Sequence, residues 1–250
     1  MPPTAAGWRA RLAGALCTAA LAGPQAAHAA RPMVVDDARI VDHKACQVET
    51  WYKSTRTSEE IWALPACNPF GPFELTLGIA RVPSEVKPVG SNATDAVVQV
   101  KALVDPLETN GFGWGFAVGN VRRPSVDPSR NLIGDRYAYG IFTWSNFDDR
   151  LLVHVNLGGV QRLQENTRHL TWGVGVEWQA FARALPSLQL LAEVYGETSG
   201  RHYVQAGFRW WVVPERWQID ATYGNRVDAW SGSNRWLTVG IRLISPPLLP

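Results

Sequence analysis

The chain has 250 residues, with 24 Lys and Arg against 22 Asp and Glu, 12 Trp and four lysines: Lys44, Lys53, Lys87 and Lys101. A near-neutral chain without a basic run gives no electrostatic footprint for nucleic acid, so no nucleic-acid partner is expected. The length suits a single domain, and after the first thirty residues no apolar run is long enough for a membrane-spanning helix.

Residues 1–30 read as a cleaved export signal. Arg9 and Arg11 form a short basic region, residues 12–23 are mostly Leu, Ala and Gly, and Ala27-His28-Ala29 offers the small residues a signal peptidase reads. Cys17 follows Leu16, where a lipoprotein signal needs a small residue. Cleavage is therefore expected after Ala29 or Ala30, and the mature chain then carries 22 basic and 22 acidic residues. Residues 31–45 follow as a polar periplasmic segment bearing Asp36, Asp37, Arg39, Asp42 and Lys44. Two readings of it stand: a plug that enters a barrel lumen and pairs with Lys101, Glu193, Arg209 and Arg242, or a solvated tether.

From residue 46 the period is two. In residues 170–180, Leu170, Trp172, Val174, Val176 and Trp178 fall on one face, and Thr171, Gly173, Gly175, Glu177 and Gln179 on the other. Runs of this kind predict strands near 46–54, 59–67, 73–82, 95–104, 111–122, 136–146, 150–159, 170–180, 188–197, 202–211, 216–223 and 235–244. The sixth is ambiguous, because Tyr137, Tyr139 and Ile141 compete with Phe142 and Trp144 for the apolar side. Prolines and glycines such as Pro69, Pro72, Pro106, Pro124, Pro128, Pro186, Pro214 and Gly232 fall between the runs. The expected fold is an all-β, antiparallel, up-and-down transmembrane barrel of about twelve strands over 46–245, with 246–250 as a periplasmic tail.

Connection lengths alternate as outer-membrane barrels require. Segments 68–72, 105–110, 147–149, 181–187 and 212–215 are short, whereas 83–94, 123–135, 160–169 and 224–234 are longer. A hairpin turning at residues 55–58 sets Cys46 opposite Cys67, and export to an oxidising compartment makes them a disulfide pair.

Scarcity of lysine distinguishes a membrane barrel, apolar outside, from a soluble barrel that is apolar inside. The non-apolar faces carry Gly78, Gly113, Gly115, Ala117, Gly119, Gly173, Gly175, Gly207 and Gly240, which suit a lumen. Gly113, Gly115, Gly173 and Gly175 lead to the expectation of free space inside. Trp172, Trp178, Trp217 and Tyr223 fall on apolar faces, as an interfacial aromatic girdle would. The same period places Glu74, Lys101, His154, Glu177, Glu193, Arg209, Asp220 and Arg242 inward, either bracing the wall as charge pairs or forming a constriction that selects solutes.

Catalysis has little support. His154 has Asn156 rather than serine two positions on, and Ser145, Ser231 and Ser233 lie at strand ends or in loops, away from His169 and His202. No metal or cofactor is expected, since His43, His154, His169 and His202 are dispersed.

The signal, the mature start Arg31-Pro32-Met33-Val34-Val35-Asp36-Asp37 and the Gly- and Trp-rich strands resemble outer-membrane proteins grouped with transporters of the meta-pathway of phenol degradation. The likeness is a pattern of strands over most of the mature chain. It implies a Gram-negative outer-membrane barrel passing small hydrophobic compounds. One departure is the end, Pro246-Pro247-Leu248-Leu249-Pro250, where such barrels usually present an aromatic residue to the assembly machinery. The expected activity is passive transport of small, apolar or aromatic molecules, with lipid, solute and assembly machinery as partners. The alternatives are a structural or interaction barrel with a filled lumen, and a lipid-modifying enzyme.

Overall fold

A computed structural model describes residues 33–85, 91–127, 129, 131–227 and 234–250. The export signal expected over residues 1–30, together with Arg31, Pro32, Lys87, Pro128, Ser231, Gly232 and Ser233, lies outside the described residues. Among these, twelve strands close into one barrel. They are β1 (Cys46–Thr55), β2 (Glu59–Cys67), β3 (Phe73–Pro83), β4 (Asn92–Asp105), β5 (Phe112–Arg122), β6 (Asp135–Asn146), β7 (Leu151–Arg162), β8 (Thr167–Trp178), β9 (Leu188–Glu197), β10 (Arg201–Val213), β11 (Trp217–Arg226) and β12 (Trp236–Ile244). Each pairs antiparallel with its sequence neighbours, and β1 also pairs with β12, from Gln47↔Ile244 to Thr55↔Trp236. Closure leaves no unpaired sheet edge.

Alternation in the sequence becomes alternation of environment. Along β3, Leu75, Leu77 and Ile79 point outward while Glu74, Thr76 and Ala80 are buried. Trp114, Phe116 and Val118 on β5, and Leu237, Val239, Ile241 and Leu243 on β12, extend the same apolar exterior. An exposed apolar surface running around a molecule is unfavourable in water and favourable in lipid. Among the described residues no helix is long and apolar enough to cross a membrane. The strands are the crossing elements.

The sixth strand resolves by its partners. Tyr137, Tyr139, Ile141 and Thr143 point inward, and Phe142 and Trp144 outward. Phe142 stacks against Phe112 and Trp114 of the neighbouring strand, at ring-centroid separations of 6.2 and 6.4 Å. Inside, the Tyr137 hydroxyl donates to Gln99 at 2.8 Å and that of Tyr139 to Asp36 at 3.1 Å, which satisfies polar tips that lipid would leave without partners.

Turns follow their chemistry. Thr55 and Ser58 close the β1–β2 hairpin, with Thr55 N–H bonded to the Ser58 carbonyl at 2.8 Å. Cys46 and Cys67 are register partners and form a disulfide with Cα atoms 4.0 Å apart. Closing that loop contributes about 3 kcal/mol in the chain-entropy picture. Gly200, with φ +85°, supplies the left-handed residue of the short β9–β10 turn.

One loop is shorter than expected. The segment 160–169 reduces to 163–166, because Val160, Gln161 and Arg162 stay paired with His169, Arg168 and Thr167. Backbone pairing continues beyond the point where side-chain alternation fades, so a face pattern underestimates strands that rise past the membrane. By the strand bounds the β3–β4, β5–β6 and β11–β12 connections, of eight, twelve and nine residues, leave from one end of the barrel, and the β8–β9 connection, also of nine, leaves from the other.

Candidate functional site: a filled lumen between two vestibules

Residues 33–45 run inside the barrel. Met33, Val35, Ala38, Ile40, Val41 and Ala45 are buried. From Val34 to Val41 the backbone is held by wall side chains rather than by the strand ladder, whereas Lys44 and Ala45 bond main chain to main chain, to Asn68 and to the Leu248–Leu249 tail. The Glu193 carboxylate accepts the N–H of both Val34 and Val35, each at 2.8 Å. Asn156 acts as a peptide mimic: its Oδ1 accepts Asp36 N–H at 2.6 Å and its Nδ2 donates to the Asp36 carbonyl at 2.9 Å. Thr143 Oγ1 accepts Ala38 N–H at 2.8 Å, Glu74 accepts Val41 N–H at 3.1 Å, and Asn68 Nδ2 donates to the Val41 carbonyl at 2.7 Å. A buried backbone outside a sheet needs such partners one by one.

The glycines once read as free space are occupied. A Cβ at Gly173 would lie 2.5 Å from Val35 Cγ2, and one at Gly175 2.5 Å from Met33 Cε. At Gly113 it would meet the Leu107 backbone at 2.6 Å, and at Gly115 the Ala102 carbonyl oxygen. These missing side chains make room for the N-terminal segment and for close backbone packing, so the free space expected beside these four glycines is taken up, and what remains open in the lumen lies on either side of the segment.

All eight inward charges are buried at 4 % exposure or less. Lys101 Nζ lies 2.8 Å from Asp36 and 3.4 Å from Asp37. Arg209 pairs with Glu177 two strands along the wall. His154 Nδ1 is 3.0 Å from Thr143 Oγ1, and its Nε2 is 3.6 Å from Glu177. Arg242 Nε reaches Gln47 at 2.6 Å and Glu49 at 3.5 Å across the β1–β12 seam. Gln218 donates to Asp220 at 3.0 Å. Of the four groups expected to pair with segment charges, Lys101 does so through carboxylates and Glu193 through backbone N–H groups. Arg209 and Arg242 meet wall residues, Glu177 for the first and Gln47 and Glu49 for the second, which lie near them in the fold.

Sequence reasoning missed the neutral members of this network: Gln47, Asn68, Thr143, Asn156 and Gln205. Face parity alone would have placed Gln47, Thr143, Asn156 and Gln205 inward, but a search for charges passed over them. Thr143 and Glu177 flank His154 in the manner of a catalytic constellation, yet Thr143 is fully buried and already accepts Ala38 N–H. Among the described residues no group of three His, Cys, Asp or Glu side chains is placed to hold a metal ion.

The segment divides the lumen. At the short-turn end lies a cavity of about 480 Å³ reached by Arg39, Glu108, Asp149, Gln189 and Glu215. At the long-loop end lies one of about 470 Å³, floored by Val34 and Val35 and walled by Trp62, Tyr137, Tyr139, Tyr195 and Tyr203. Beside the segment, between Gln47, Glu74 and Lys101, a gap of about 30 Å³ remains, room for about one water molecule.

A closed twelve-strand antiparallel barrel with an apolar exterior and a charged, occupied interior is a transmembrane β-barrel of porin architecture. The chain belongs to the family described as uncharacterised conserved protein UCP029691, whose pattern it matches over residues 17–244. Comparison with curated proteins gives no match. Among solved structures it is similar to the KdgM porin, at TM-score 0.58 and 10 % identity over 79 % of this chain and 98 % of that one. KdgM porin in complex with disordered oligogalacturonate gives TM-score 0.54 at the same identity and coverage. The NanC porin gives TM-score 0.52 at 10 % identity, again over 79 % and 98 % of the two chains. At such identity the likeness is one of fold.

Proposed function

We propose that the protein is a Gram-negative outer-membrane channel for small solutes whose pore is closed in this state by residues 33–45. The observation that carries the reading is the pair of solute-sized vestibules separated by a segment that forms no part of the barrel ladder. The barrel is oriented with the end that holds the start of β1 and the close of β12 toward the periplasm and the longest connection, between β5 and β6, outward. The segment is then a periplasmic plug. Once it withdraws, Glu74, Lys101, His154, Glu177, Glu193, Arg209, Asp220 and Arg242 line a charged constriction between the vestibules. The porin names of KdgM and NanC support a channel, and the strand-pattern likeness to transporters of the meta-pathway of phenol degradation supports small aromatic compounds as its solutes. A hydrolase is disfavoured by the sealed position of Thr143 at His154.

Deleting residues 31–44 and recording in planar bilayers tests this. The expected result is higher single-channel conductance with an undiminished yield of folded barrel. Unchanged conductance in a folded deletion would favour a permanently filled, non-conducting barrel, a reading to which the dense hydrogen bonding of the segment lends weight.

A further inference from the structure

The long-loop vestibule has a chemistry of its own, apart from the charged network below it. Tyr195 and Tyr203 stack at a centroid separation of 5.3 Å, and Tyr203 meets Trp236 edge-on at 5.9 Å. Opposite them Tyr137 and Tyr139 stack at 5.9 Å. The Tyr137 and Tyr139 hydroxyls are used by Gln99 and Asp36. Among the described residues, those of Tyr195 and Tyr203 have no hydrogen-bond partner.

Three arginines reach this cavity, with Glu197 as the one carboxylate in its lining. Arg162 is committed to Glu197 at 2.6 Å, and Arg123 faces Asp135 at 3.6 Å. Arg201, at the exposed start of β10, has no carboxylate partner among the described residues. The cavity therefore offers flat aromatic walls, an apolar floor of Val34 and Val35, two hydroxyls and, beside Glu197 in the ladder, the guanidinium of Arg201 with no ion pair among the described residues.

We infer that this vestibule is a binding site for an aromatic carboxylate, its ring held against the tyrosine walls and its carboxylate paired with Arg201. Ring stacking and a charge-assisted hydrogen bond answer the two halves of such a molecule. The volume of about 470 Å³ falls within the usual range of small-molecule sites. Aromatic walls alone would also suit an organic cation, but three arginines against one carboxylate oppose a cation here. A sugar acid would need polar groups around its ring, and Asn156 is already spent on Asp36. The site does not depend on conduction: a barrel that never opens would still bind at this mouth, so bilayer recordings and binding measurements fail separately.

Sodium benzoate titrated calorimetrically into the mature barrel in detergent micelles is the test, with retarded gel mobility on heating as the check of folding. Saturable one-to-one binding is expected, weakened about tenfold or more in Arg201→Gln and partly restored in Arg201→Lys. Tyr195→Leu, a separate lesion in the ring wall, should weaken it comparably. Benzyl alcohol and acetate, each carrying half of the recognised molecule, should each bind at least about tenfold worse than benzoate. Absence of saturable benzoate binding to folded barrel would overturn the inference, as would unaltered affinity in Arg201→Gln. Glucuronate binding as well as benzoate would make the site one for acidic saccharides, and tighter binding of benzyltrimethylammonium would make it a cation cage; either result overturns the assignment.

Discussion

Lys101 shows what one side chain does in this lumen. Its ammonium, 1 % exposed, contacts the carboxylates of both Asp36 and Asp37, of which Asp37 is 3 % exposed. Removing one partner from a buried ion pair leaves the other charge uncompensated, at about 3–5 kcal/mol. In Lys101→Met that penalty is relieved if the segment leaves the barrel. The expected outcome is a barrel of normal yield in which trypsin cuts after Arg39 far faster than in the parent; equal cleavage rates would show that the pair does not hold the segment. Gly173 makes the same point by shape. Gly173→Val would place a Cβ about where Val35 Cγ2 now sits, at 2.5 Å, with Tyr195 Cβ behind it at 3.3 Å. Single-channel conductance should rise in that variant without a loss of assembly, and an unaltered trace would mean that the wall yields instead of the segment.

Each strand carries two independent instructions. β8 sends Val174 and Trp178 to the exterior, at 38 % and 52 % exposure, and Glu177, Gly173 and Gly175 to the interior. Arginine at Val174 or Val176 should therefore impair folding into lipid vesicles, by roughly 2–4 kcal/mol near the midplane. Thr171→Arg points into the outer vestibule and should be milder. Equal folded yields for the two kinds of variant would contradict the face assignment. Inward tryptophans are the exception to the apolar-out rule. Trp51 and Trp62 are register partners that stack at 5.5 Å, with Trp62 Nε1 donating to Glu60 at 2.9 Å. Trp236 lies in the slot left by Gly224. An indole with a polar partner fits a lumen as well as an interface.

The molecule combines two systems of different strength. The barrel is a closed ladder in which every strand has two partners. The inner segment depends on single side-chain acceptors and on Lys101. Sub-global opening then selects the segment, because its release breaks no strand pairing. In hydrogen exchange, the amides of Val34, Val35, Asp36, Ala38 and Val41 should be protected, yet should exchange before those of the central strands. Identical rates would mean that the segment is freed only when the barrel itself opens, and a gate of this kind would then not exist.

Local chemistry wrote most of the barrel into the chain. Period-two patterning does not depend on distant partners, so the strands, their inward and outward faces and the Cys46–Cys67 register could be read from order alone. The eight lumen charges were legible for the same reason, since parity along a strand assigns the face. Parity says nothing about depth or direction across a lumen, however. That Arg209 reaches Glu177 over the intervening strand β9 is decided by side-chain packing along the wall, and that Asn156 clasps the Asp36 peptide and Val35 fills the hollow at Gly173 follows from barrel closure around the segment, which brings residues more than a hundred positions apart into contact. Residues 31–45 have no periodic pattern to read. The path of residues 33–45 was set by the wall around them, because a polar backbone without a ladder takes whichever conformation satisfies its N–H and carbonyl groups.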